Sequence, residues 1–484
     1  MFEETVSLPL WLVVLAGLLA LVALLDRLLV PSARWFLHRR VRQAIARANE
    51  RLTVQIPFFA LTERRILIDN LAYDPEVLDE VEAESQRSGA PHELVVNQAL
   101  AYAREIVPAF NAYVYFKLGT WLARRLARNL YRVRLHAGEE GSLADWVKQG
   151  ATLVFVINHR SNMDYVLLAF LAARRTTLSF AAGDWARVWP LQSLVRAMGA
   201  YFVRRPRPGE AMADARLYRK VLQRYVQMAT AGGVTQALFP EGRLSRDGGP
   251  GAPKLGLIDY MTRRFQPGVD REIVFVPVGI NYDQVLEDRE LVADAAQATR
   301  QSTRRAMWSV SRFLVRNLIR SPRTNPRYLG YASVHFGPGI SLSTYLVSYR
   351  IEPGASDDEA RRAAVAGLGK DLMTAIARQI PATPLPLVAR LLVEAEGPTD
   401  RSTLEARLVD AIALLEDQGA LVQLPDGGGA AALDWALARL LERGLAEETA
   451  GGYRPRAEAA DLLAFYAHSI AHHFNPPESG RKPR

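Results

Sequence analysis

The chain has 484 residues, 49% hydrophobic and 23% charged, enough for a substantial core in one large domain or in two or three, and not a composition of wholesale disorder. It contains no cysteine, which excludes disulfides, thiolate zinc sites and a catalytic thiol. A formal charge of +9 favours anionic partners, and with no nucleic-acid-binding module in the sequence, no nucleic acid is expected among them.

Leu8 to Leu25 is an uncharged apolar run, long enough for a short spanning helix. No Lys or Arg precedes Arg27, unlike a secretory signal, and Arg34, Arg39, Arg40 and Arg42 follow the run. Residues 1–33 are therefore expected to be a membrane anchor, with the rest of the chain on the cytoplasmic side of the inner membrane. Membrane lipid is thus an expected partner, and the Arg34 to Arg47 stretch suits a helix lying in the membrane surface.

Residues 34–140 read as a mainly helical region. Asp74-Pro75-Glu76 has the form of a helix start, with Asp as cap and Pro at the first helical position. Gly89-Ala90-Pro91 interrupts the pattern, and a further helix is expected from about Glu93. Residues 113–135 mix aromatic and leucine side chains with Lys117, Arg124, Arg125, Arg128, Arg132 and Arg134, the pattern of a basic amphipathic helix.

From 141 to 345 strands and helices alternate. Strands are expected at Ala151–Asn158, Thr177–Ala181, Val234–Phe239, Ile273–Asn281 and Ala332–Phe336, with helices at Tyr165–Arg174 and Ala211–Ala231. This order predicts an α/β domain with a mostly parallel sheet flanked by helices, which binds ligands at the carboxyl ends of its strands. Residues 346–484 are expected to form a mainly helical C-terminal module, broken at Asp426-Gly427-Gly428-Gly429.

The segment Asn158-His159-Arg160-Ser161-Asn162-Met163-Asp164-Tyr165 falls where the first of these strands ends and a helix begins. Of the eight histidines, only His159 has an Asp five residues later. A carboxylate in the first helical turn can fold back on the ring, fix one tautomer and leave the other nitrogen to take a proton. Asp164 could equally serve only to cap its helix. His468 and His472 are spaced for a metal, but no third carboxylate ligand is in view, and no metal is expected.

Three further blocks also fall at strand ends. Phe239-Pro240-Glu241-Gly242-Arg243-Leu244-Ser245-Arg246 combines a glycine that lets backbone approach an anion with arginines whose forks match phosphate oxygens. Tyr201-Phe202-Val203-Arg204-Arg205 places two more arginines after an apolar run, and Val276 to Asp283 is an apolar strand with a polar end. Lys254 is a further candidate phosphate contact. No Gly-x-Ser-x-Gly elbow and no P-loop occurs, which argues against a serine hydrolase and a P-loop nucleotide enzyme.

Together these blocks resemble those of the glycerolipid acyltransferase superfamily, and most of all the bacterial membrane-bound glycerol-3-phosphate acyltransferases. The third block departs from the family pattern, with Arg243 where Gly or Thr is usual and Leu244 in place of the first Arg. The resemblance implies acyl transfer from a coenzyme A or acyl-carrier-protein thioester to the sn-1 hydroxyl of glycerol 3-phosphate, with no separate cofactor. In it His159 is the base and Asp164 orients it. The phosphate lies among Arg204, Arg205, Arg243, Arg246 and Lys254, Gly242 and Ser245 belong to the same substrate-binding loop, and Glu241 either holds that loop or contacts the acceptor hydroxyls. Backbone amides near the first block are expected to hold the oxyanion. Two other readings remain at this point: a lysophospholipid acceptor, and a basic membrane-surface protein without catalysis.

Overall fold

The computed structural model describes residues 56–137, 140–172, 177–183, 191–204, 212–296, 329–349 and 358–475. The N-terminal apolar run and Arg205 lie outside them. Among the described residues no helix is long and apolar enough to cross a membrane.

Eight strands form the main sheet: β1 (Arg132–Ala137), β2 (Thr152–Ile157), β3 (Ser179–Ala182), β4 (Ala200–Phe202), β5 (Gln236–Leu238), β6 (Ile273–Tyr282), β7 (Tyr331–Phe336) and β8 (Ile340–Ser341). Their order is β1-β7-β6-β2-β5-β3-β4, with β8 also paired to β6. Every residue of β2 and β6 is buried, as their continuous apolar runs require of central strands. β2, β3, β4, β5 and β6 run parallel, so their carboxyl ends share one edge. β7 departs from the expected parallel pattern by pairing antiparallel to β6, and β8 does the same.

The pleat sends alternate side chains into two cores. Leu153, Phe155 and Ile157 face one layer, shared with the helix Met163–Ala172 and the C-terminal helices Pro384–Val393 and Ala460–His468. Val154 and Val156 face the other, built from the helices Arg64–Ala72, Pro75–Ser88, His92–Ile106, Met212–Ala231 and Asp358–Gln379. Each such buried Val, Ile, Leu or Phe side chain contributes roughly 1.5–3 kcal/mol.

The helix start at Asp74 is as expected: its carboxylate accepts from the Glu76 amide at 3.1 Å, and Pro75 opens the helix. Gly89 ends that helix with φ of 70°, a conformation only glycine adopts without strain. The helix expected over 113–135 stops earlier. It opens as a π-helical stretch, Val114–Gly119, continues as Thr120–Leu130, and gives way to β1. Arg132 and Arg134 thus belong to a strand, paired parallel with β7. The C-terminal region is mainly helical, with one hairpin, Ala446–Thr449 and Gly452–Pro455.

Candidate active site

His159 follows β2 and Asp164 lies in the first turn of the next helix, so the five-residue spacing folds into one loop. Nδ1 of His159 lies 2.9 Å from Oδ2 of Asp164, with both side chains buried. A carboxylate there makes Nδ1 the protonated nitrogen and leaves Nε2 as the basic one. The His159 ring stacks on Phe239 at 4.1 Å and meets Tyr165 edge-on at 5.4 Å.

Asp164 is enclosed by donors. Its Oδ2 also accepts from the amides of Arg160 at 2.8 Å and Ser161 at 3.0 Å, and its Oδ1 accepts from the Tyr282 hydroxyl at 2.5 Å. The alternative that Asp164 only caps its helix gives way to a double role, since one oxygen serves both loop amides and imidazole. Tyr282 and Arg160 stood inside the sequence blocks without a role. Glu287 had no local signal at all. Its buried carboxylate accepts from Ser161 Oγ at 2.8 Å and from the backbone and side-chain amides of Asn162 at 3.3 and 3.0 Å. Burial pushes the Glu287 carboxyl up from its ordinary range, against the pull of Ser161 and Asn162.

The third block wraps the same histidine. Glu241 accepts from the His159 amide at 3.1 Å and, through its other oxygen, from the Gly251 amide at 3.0 Å. Burial raises its pKa, and those two amides oppose the shift. The Ser245 amide donates to the His159 carbonyl at 2.9 Å. Ser245 Oγ donates to the Gly249 carbonyl at 2.7 Å and accepts from the Gly248 amide at 3.0 Å, so this hydroxyl closes the loop on itself. Gly242 has φ of 65°, and a side chain there would press on the stem of Lys254.

The expected oxyanion donors are already engaged. The amides of His159, Arg160, Ser161, Asn162 and Met163 donate to Glu241, Asp164, Asp164, Glu287 and Ser161 Oγ respectively. The Arg243 and Leu244 amides have no hydrogen bond within the described residues.

The basic residues divide. Arg243 and Lys254 are exposed on the loop after β5, and Arg246 is half-buried there, its Nη1 3.5 Å from the Asp294 carbonyl. Arg204 follows β4 at the same sheet edge, but its guanidinium lies over the rings of Tyr218 and Tyr102 at 4.8 and 5.3 Å. Three strand steps separate β4 from β2, about 14 Å at ~4.8 Å each. Arg160 is buried, its guanidinium 4.6 Å from the Phe465 ring and hydrogen-bonded through Nη1 to the Gly248 carbonyl. Its Nε and Nη2 have no partner among the described residues. His472 and His473 donate through Nε2 to the Ala377 and Ile380 carbonyls as packing residues, and no group of potential metal ligands occurs among the described residues.

At the carboxyl edge of an α/β sheet, beside a basic loop, lies an imidazole held by a carboxylate, and residues 142–281 match the family model described as acyltransferase. Residues 315–477 match a second, described as glycerol-3-phosphate acyltransferase C-terminal region. A glycerol-3-phosphate acyltransferase of Aeromonas hydrophila subsp. hydrophila is 28% identical over 429 residues, covering 86% of this chain and 51% of that protein. One from Actinobacillus succinogenes is 30% identical over 305 residues, covering 62% of this chain and 35% of that protein. The chain spans about half the length, or less, of the curated relatives it matches. A crystal structure of a 1-acyl-sn-glycerophosphate acyltransferase from Thermotoga maritima superposes over 53% of this chain and 78% of that one, at 15% identity and a TM-score of 0.29. That superposition is too loose to carry residue correspondences. The resemblance to the bacterial glycerol-3-phosphate acyltransferases, first seen in the sequence blocks, is thus found in both regions of the chain.

Proposed function

We propose that the protein transfers a fatty acyl group from a thioester to the sn-1 hydroxyl of glycerol 3-phosphate, the first step of phospholipid synthesis. The observation that carries this reading is the 2.9 Å contact between His159 Nδ1 and a carboxylate that three further donors hold in place. Nε2 of His159 takes the proton from the hydroxyl as its oxygen attacks the thioester carbonyl. The tetrahedral oxyanion collapses, the carbon–sulfur bond breaks, and the departing thiolate takes the proton back from Nε2. The amides of Arg243 and Leu244, on the loop pinned to His159 and without a hydrogen bond among the described residues, are assigned to the oxyanion.

The phosphate is held by the basic side chains of the shared edge. These are Arg243, Arg246 and Lys254 from the loop after β5, while Arg204 is held over Tyr218 and Tyr102 at the outer strand. Glu241 shapes this loop from inside rather than acting as an acid. The acyl donor is a coenzyme A or acyl-carrier-protein thioester, both anionic and both suited to a basic surface. The N-terminal apolar run holds the protein at the inner membrane with this domain on the cytoplasmic side.

The test is acyl transfer by the purified chain with glycerol 3-phosphate and with lysophosphatidate, using both thioesters. The proposal expects transfer to glycerol 3-phosphate and its loss in His159→Ala. Preference for lysophosphatidate would move the reading to a lysophospholipid acyltransferase. Full activity in His159→Ala would remove the proposed base.

A further inference from the structure

Resting on the reading above, we infer that Tyr282 is a positioning residue for the His159–Asp164 pair, its hydroxyl fixing the carboxylate plane and taking up part of its charge. The two oxygens of Asp164 are held unequally. Oδ2 receives the imidazole and two loop amides, whereas Oδ1 has the Tyr282 hydroxyl as its hydrogen-bond donor, at 2.5 Å. Remove that hydroxyl and Oδ1 becomes a buried oxygen with no donor in the described site, free to turn about the bond to the carboxyl carbon.

Tyr282 is well built for the task. It is the last residue of β6, fully buried, and its ring packs against Tyr131 at 5.2 Å. Burial, with the nearby Asp164 charge, keeps its phenol well above its ordinary pKa, so it remains a neutral donor throughout the working range. The contact spans 118 residues of sequence and places the fourth block directly behind the first.

The charge effect has a definite direction. A short bond from a neutral hydroxyl spreads the negative charge of Asp164 away from the imidazole. Without it more charge faces His159, the imidazole holds its proton to higher pH, and less of the base is available on the acid side. The other charged or titratable groups facing this pair are Arg160 from the same loop, Glu241 from the loop after β5, and Glu287 and Asp288 beyond β6. Tyr131, Tyr165 and Tyr466 lie there as well. None of these is altered by Tyr282→Phe.

The experiment compares Tyr282→Phe with Tyr131→Phe in the full-length protein. Tyr131 is a structural control in the same pocket, with its hydroxyl donating to the Gln284 carbonyl at 2.8 Å rather than to Asp164. For Tyr282→Phe the acid limb of the pH dependence of kcat/KM should move up by about half a pH unit. In the same variant kcat should fall about three- to tenfold with KM for glycerol 3-phosphate unchanged, the pattern of a group felt in the transition state. Tyr131→Phe should keep the acid limb in place at a comparable loss of thermal stability. Superimposable pH profiles for Tyr282→Phe and the parent would overturn the inference, as would an equal shift in both variants. If the parent itself transfers no acyl group, it is the functional reading that has failed, before either variant is compared.

Discussion

Replacing Asp164 with Asn removes one charge and no heavy atom, which makes it the sharpest probe of the pair. An asparagine oxygen at the Oδ2 position can still accept from His159 Nδ1 and from the amides of Arg160 and Ser161. Its amide nitrogen then faces Tyr282, whose hydroxyl can turn to accept. The hydrogen-bond pattern survives, and the fold should lose only about 1–3 kcal/mol as charged bonds become neutral ones. The reaction loses more. The bond steadying the imidazole becomes about half as strong, and the imidazolium formed during attack no longer has a negative partner at 2.9 Å. At 1.36 kcal/mol per decade, a loss of about 3–4 kcal/mol in the transition state corresponds to roughly 10²–10³ in kcat, within the range of general-base catalysis. KM for glycerol 3-phosphate should hardly change, because the acceptor's phosphate does not touch Asp164 in this scheme. Steady-state kinetics on reconstituted protein, with thermal unfolding run in parallel, measures both quantities. A folded Asp164→Asn protein with kcat within threefold of the parent would refute the argument that this carboxylate supports the base.

Two further expectations concern stability. Gly248 has φ of 94°, and an added Cβ would run into the Phe465 carbonyl oxygen, so Gly248→Ala should lower the melting temperature by several degrees and slow turnover. Unchanged melting would mean that the loop does not pack on the C-terminal helix as described. Asp283 is fully buried, accepts from the Tyr331 and Leu385 amides, and is pushed by burial from 3.8 to about 7. Since the folded state holds this proton longer than the unfolded chain, its contribution is complete below pH 4 and is lost as pH rises toward 7, on the order of 4 kcal/mol in all. Denaturant titrations at pH 5 and pH 8 should show the larger part of that loss, about 2.5–3 kcal/mol, in the parent and a smaller one in Asp283→Asn; equal pH dependence in both would refute it.

The legible parts of the site are local ones. β2 and β6 are continuous apolar runs, and the His159–Asp164 pair closes over five residues, so a periodicity and one spacing were enough to locate them. β1 was obscured because Arg-Val-Arg-Leu-His-Ala follows a helix of similar composition, and partnership with β7 outweighs local pattern there. β4 is only three residues long. Arg204 was grouped with the other arginines because sequence gives its place after a strand and not that strand's place in the sheet; β4 turns out to be the outer one. Tyr282 and Glu287 act across 118 and 126 residues, through contacts that no spacing rule encodes.

The same reasoning bears on where the active site ends. The two family models cover separate stretches, yet the structure threads one core through both, from Phe155 and Met163 to Leu385 and Phe465. Phe465 covers the Arg160 guanidinium beside the His159–Asp164 pair, and the Tyr466 hydroxyl accepts from the Val285 amide, two residues before Glu287. Asn281, next to Tyr282, donates to the Pro381 carbonyl. These contacts back the very loop that His159, Ser161 and Asn162 occupy. Without the helices after residue 358, Arg160 would lose its aromatic cover, and the turn that carries Glu287 would lose its support. The C-terminal region is therefore part of what holds the His159 loop in place, and the stretch matching the acyltransferase model does not by itself contain all the contacts that support it.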